Sequence, residues 1–167
     1  MSEVTTADLE EVRRLKSRYF RYVDTKRWDA LRTVFADDAV FDGFAFATAG
    51  PDAFVAGVAA YLDGIESVHQ GFMPDLRPWD DGRIRGVWSM FDRLVWEPGS
   101  RGYKGVDLPG QWGITGYGHY EEEYRRTADG WRICFMRLTR LRVEPLVGSG
   151  YDVPAYDLPR LTPDWLD

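Results

Sequence analysis

Only two histidines stand in this sequence, His69 in "ESVHQGFMPDL" and His119 in "GYGHYEEEYRR". Histidine is the natural base near neutral pH, and a carboxylate beside it fixes the tautomer and favours the imidazolium. Asp24 is one candidate partner. In "RYFRYVDTKRWD" it closes a helical aromatic face, where it either caps the next helix or stands in a pocket as a working carboxylate. Asp92, in "GVWSMFDRLVW", shares one strand face with Trp88 and Met90. If that face is the core face, Asp92 is buried and requires a partner. Arg140 shares a strand face with Met136, Leu138 and Arg142, and is read as that partner, as a clamp for a substrate oxygen, or as a surface cation. Tyr19 lies on the helical stripe, and its hydroxyl would want a partner if the ring is buried. No HxH or HxxxH spacing occurs, so metal-free acid–base chemistry is expected, with no cofactor. There is no GxSxG elbow and no P-loop. "GYGHY" has the wrong length for a dinucleotide loop, and its glycines are read as strand bends.

The elements that must position these groups follow from periodicity. Thr5 and Thr6 followed by Asp8, Glu10 and Glu11 start a helix, and Leu9, Val12, Leu15, Tyr19 and Val23 recur at spacings of three and four along one apolar stripe. A second short helix is expected over 28–35 and a strand over 39–46. A third helix runs from Pro51 to about Leu62 and is closed by Gly64. The pattern then changes to period two over 67–76, 83–96, 113–126 and 131–144, with turn signals such as Trp79-Asp80-Asp81-Gly82 and Thr127-Ala128-Asp129-Gly130 between them. Helices first and long strands second predict an α+β fold, with helices packed on a strongly curved, mixed, largely antiparallel sheet that encloses a pocket. The body is expected over 1–144. Residues 145–167 are read as an extended tail packed on the body or on a partner subunit.

Composition bounds the function. A chain of 167 residues, 44% hydrophobic and 15% aromatic, is one domain with a real core. The net charge of -6 argues against nucleic acid as a partner. The single cysteine, Cys134, excludes an intrachain disulfide framework. With no leader pattern and no apolar run near 18 residues, a cytoplasmic protein without a membrane partner is expected.

Taken together, "RYFRYVDTKRWDALRTVFADDAVFDG", "VHQGFMPDL", "GVWSMFD" and "GHYEEEYRRTADGWRI" resemble the SnoaL-like branch of the nuclear transport factor 2-like superfamily. That branch includes scytalone dehydratase, bile-acid 7α-dehydratase and hexachlorocyclohexane dehydrochlorinase. The resemblance spans roughly residues 5 to 144 and implies a cone-shaped α+β barrel, expected as a homodimer or higher homo-oligomer. It implies catalytic roles for His69, Asp24, Tyr19, Asp92 and Arg140, each of which matches a functional residue type in these lyases. Asp24 would orient His69, the general base. Tyr19 would polarise a carbonyl or assist the leaving group, and Asp92 with Arg140 would position oxygen functions.

The sequence also departs from the branch. A second histidine common after the "HxG" step is Phe72 here, and His119 matches no catalytic position. Phe72, Trp88, Trp112, Tyr120 and Met136 are candidates for contacting a bulky apolar ligand, or simply for the core. The expected activity is a cofactor-independent lyase of the dehydratase type acting on a small hydrophobic cyclic substrate. An isomerase or cyclase of polyketide-type metabolism and a non-catalytic binding module are the alternatives.

Overall fold

The computed structural model describes residues 3–46 and 49–152. Three helices pack on a five-stranded sheet. In chain order these are α1 (Thr6–Asp24), α2 (Trp28–Arg32), β1 (Phe35–Asp42), α3 (Gly50–Tyr61), β2 (Glu66–Trp79), β3 (Arg83–Val95), β4 (Gly113–Thr127) and β5 (Gly130–Leu146). The spatial order of strands is β1-β5-β4-β3-β2, with β1 parallel to β5 and every other pair antiparallel. The expected α+β class and mixed, largely antiparallel sheet are observed. No helix among the described residues is long and apolar enough to cross a membrane.

The start of α1 is fixed by reciprocal capping. Thr5 Oγ1 accepts from the Asp8 amide at 3.3 Å, and Asp8 accepts from the Thr5 amide at 2.9 Å. Such a cap contributes about 1 kcal/mol. Val12, Leu15, Tyr19 and Val23 form the buried stripe, joined unexpectedly by Lys16. The helix ends where Lys26 turns the chain with φ 58, which leaves Asp24 as the last helical residue, facing β2.

Two boundaries differ from the periodic reading. The second helix stops at Arg32, and β1 begins at Phe35 instead of residue 39. Long-range pairing decides this, because Phe35 aligns with Ile133 and the Ile133 amide donates to Val34 O at 3.0 Å. As a result Phe44 and Phe46 fall outside the strand and join the aromatic cluster around Phe54, itself stacked on Phe41 at 4.0 Å. At the other end, β5 continues through Leu146, past the expected end of the body. Most of the expected tail, residues 153–167, lies outside the described residues.

Candidate active site

The end of α1 meets the start of β2 at Asp24 and His69. His69 Nδ1 and Asp24 Oδ1 are 2.7 Å apart, and Asp24 Oδ2 accepts from the His69 backbone amide, also at 2.7 Å. Two bonds between the same residues fix both the ring and the carboxylate. Asp24 does not cap the second helix, whose N-cap position is Arg27 and carries no side-chain capping bond. The Ser67 hydroxyl donates to Asp24 Oδ1 at 2.9 Å, and Lys26 Nζ donates to Ser67 Oγ at 2.9 Å. With Nδ1–H given to the carboxylate, Nε2 carries the lone pair, and no described residue bonds it. The side chain is 10% exposed and lines the cavity.

Asp92 and Arg140 form a second pair across the sheet. Arg140 Nη1 and Nη2 donate to Asp92 Oδ1 and Oδ2 at 2.9 and 2.7 Å, a two-pronged bond with the carboxylate only 2% exposed. Burial opposes the guanidinium charge, but the hydrogen bonds and negative charge of Asp92 outweigh it and hold Arg140 firmly protonated. The two residues sit on β5 and β3 with β4 between them, a gap of about 10 Å at ordinary strand spacing. Asp92 pairs with Gly116 and Arg140 with Gly118 on that intervening strand. A Cβ on Gly116 would overlap Asp92 Oδ1 and Arg140 Nη1. The missing side chain is what lets the arginine cross, so Gly116 makes room for an ion pair and is more than a strand bend. Arg142 does not share this face as expected. The register between β4 and β5 shifts at Leu141, after which Val143 packs inward and Arg142 pairs with Glu144 at 2.6 Å.

Tyr19, His69, Asp92, Tyr120 and Arg140 all line one cavity of about 60 Å³, with Phe44, Phe46, Tyr61 and Tyr103 among its walls. Tyr19 and Tyr120 meet edge to face at 5.8 Å. Burial raises the pKa of both phenols, and that of Tyr61 is pushed up to about 12, chiefly by burial, so all three hydroxyls stay neutral near neutral pH. Of the other expected ligand contacts, Phe72, Trp88, Trp112 and Met136 do not line this cavity. Phe72 points outward and is 47% exposed. Trp88 donates to the Tyr124 hydroxyl at 2.8 Å within the core, and Met136 is buried there too. Trp112 precedes β4 and packs against Tyr151. Period-two alternation finds inward residues but cannot tell the closed end of a core from its hollow end. His119 pairs with Ser89 and Thr139 on the opposite sheet face. Among the described residues, no three His, Cys, Asp or Glu side chains gather to hold a metal ion.

Residues 4–137 match the family model described as SnoaL-like domain. The chain belongs to the SnoaL-like family. Solved structures share the fold of this SnoaL-like chain at low identity. A hexachlorocyclohexane dehydrochlorinase from Novosphingobium barchaimii is 19% identical with a TM-score of 0.68, covering 90% of this chain and 100% of that one. A second, type 2 hexachlorocyclohexane dehydrochlorinase gives 19% and 0.70, covering 91% and 100%. A Kribbella flavida protein gives 24% and 0.68, covering 83% and 93%.

Proposed function

We propose that this protein is a lyase in which His69 removes a proton from carbon and a leaving group departs from the adjacent carbon of a cyclic, largely apolar substrate. One observation carries the reading: His69 gives Nδ1 to Asp24, and at the cavity wall its Nε2 has no hydrogen-bond partner among the described residues. In the step, the C–H bond breaks and its proton passes to Nε2. The electron pair left behind becomes the new carbon–carbon π bond, and the leaving group takes its own bonding pair. Asp24 stabilises the imidazolium. Tyr19 and Tyr120 supply phenolic donors for a substrate oxygen or the departing group, and the Asp92–Arg140 pair fixes the opposite wall. A positioned base contributes about 10²–10⁴-fold, and orientation supplies much of the remainder. Structural relatives named as dehydrochlorinases support elimination over other uses of the same base.

The test is incubation with a panel of cyclic ketones bearing hydroxyl or halide leaving groups, in deuterated water. Expected is loss of the leaving group, abolished in His69→Gln. Deuterium exchange without elimination would replace the lyase by an isomerase or cyclase. Binding without exchange would leave a ligand-binding module.

A further inference from the structure

The hydrogen bonds behind the dyad continue past it. Asp24 Oδ1 accepts from both His69 Nδ1 and Ser67 Oγ, and Ser67 in turn accepts from Lys26 Nζ. Lys26 is held in this place by an uncommon backbone conformation, φ 58, immediately after α1, and its ammonium also lies 5.8 Å from the Trp28 ring. The chain is therefore a built relay, running from a half-buried cation through a hydroxyl to the carboxylate that orients the imidazole.

We infer that Ser67 and Lys26 are positioning residues of the dyad: Ser67 sets the carboxylate's orientation, and the Lys26 charge limits how strongly that carboxylate favours the imidazolium. The inference rests on His69 being the base of the proposed lyase. A carboxylate carrying its full charge strengthens an imidazole's hold on a proton, which works against the neutral ring that a base requires. A serine donor on the shared oxygen and a cation behind it withdraw part of that negative charge. Burial lowers the Lys26 pKa while the Asp24 charge raises it, so the two groups do act on one another. Among the described residues, the other ionisable groups lining the same cavity are Tyr19 on α1, Tyr61 on α3, Asp92 on β3, Tyr120 on β4, Arg140 on β5, and Tyr103 with Lys104 in the loop before β4. Asp92 and Arg140 largely cancel. Lys104 is exposed and so solvent-screened, which leaves Lys26 as the cation coupled to the dyad through hydrogen bonds.

The experiment is a titration of ¹⁵N-labelled imidazoles by NMR in the full chain, with His119→Gln used to assign the two rings. Lys26→Met and Ser67→Ala should each move the His69 midpoint to higher pH, while Lys26→Arg and Ser67→Thr should restore it. Lys26→Met added to Ser67→Ala should shift it less than in the wild-type background, because the link is already cut. Turnover at fixed neutral pH should fall about tenfold with KM unchanged, the scale of one hydrogen bond to a charged acceptor. An unchanged His69 midpoint in folded Lys26→Met overturns the inference, even if His69→Gln abolishes activity. The expected shifts with a fully active His69→Gln would keep the relay and remove the base assignment.

Discussion

Two of the ionisable pairs that join α1 to the sheet, Lys16–Glu122 and Asp24–His69, differ in what they leave free. Lys16 and Glu122 are both completely buried as side chains and joined directly. Lys16 Nζ also lies 3.7 and 4.0 Å from the ring centres of Tyr120 and Tyr19, and Glu122 accepts a second bond from the Tyr124 hydroxyl. Burial lowers the Lys16 pKa to about 8, against the opposing pull of Glu122. Two helical turns along, Asp24 and His69 are also bonded, but one ring nitrogen has no partner among the described residues and the ring lines a cavity. A closed pair serves structure, whereas a pair with one polar atom left open can act on a substrate. Burial alone therefore does not equip a group to react; a polar atom left open beside a hollow is the further requirement.

The largest effect expected is at the open pair. His69→Gln should lower turnover by about 10²–10⁴-fold with an unchanged melting temperature, because glutamine keeps reach and polarity but cannot act as the base. Asp24→Asn should also lower turnover, since an amide can hold the ring without stabilising its positive charge. At the closed pair the loss should appear in stability instead. Lys16→Met leaves Glu122 buried without its cation and should cost about 3–5 kcal/mol in denaturant melts. Adding Glu122→Gln should recover much of that. If Lys16→Met melted like the wild type, the division between a structural and a reactive pair would fail.

Much of this was readable beforehand, for identifiable reasons. Asp24 and His69 were legible as a helix end and a strand start, although 45 positions separate them. Strand alternation put Asp92 in phase with Trp88 and Met90, where a buried carboxylate requires a partner, but left Arg140 open as that partner, a substrate clamp or a surface cation; the structure pairs the two. Lys16 was hidden since it occupies the stripe between Val12 and Tyr19, where charge is rarely buried. Glu122 was hidden in an acidic run, although it is in phase with Gly116, Gly118, Tyr120 and Tyr124 on the inner face. That same phase was the available clue that Gly116 clears a path. The cavity walls at Phe44 and Phe46 depended on where β1 ends, which pairing with β5 settles and local pattern does not.

A smaller effect is expected where the two regions adjoin. Gly116→Ala should push Asp92 and Arg140 apart at an overpacking cost of about 1–3 kcal/mol, and should lower activity as well, since both side chains line the cavity. Asp92→Asn keeps the volume but removes the negative charge that pairs with Arg140, so comparing the two variants separates steric from electrostatic disruption. Equal activity in Gly116→Ala and the wild type would mean that the arginine does not need its path across β4.

The smallest effect should come from the other histidine. His119 sits on the outer sheet face between Ser89 and Thr139, and the Thr139 hydroxyl bonds its backbone oxygen, an interaction that any side chain at this position preserves. His119→Gln should therefore change turnover by less than about twofold and stability by no more than about 0.5 kcal/mol, the range of an ordinary surface substitution. The contrast with His69→Gln is informative because the substitution is chemically identical and only the face of the sheet differs. If His119→Gln matched the loss at His69 while the isolated protomer's melting curve stayed unchanged, the outer face would have to reach a reacting centre. A second subunit bringing its own cavity against that face could do this, and activity would then depend on protein concentration. Activity independent of concentration, with His119→Gln near wild type, assigns the proton transfer to the inner face alone.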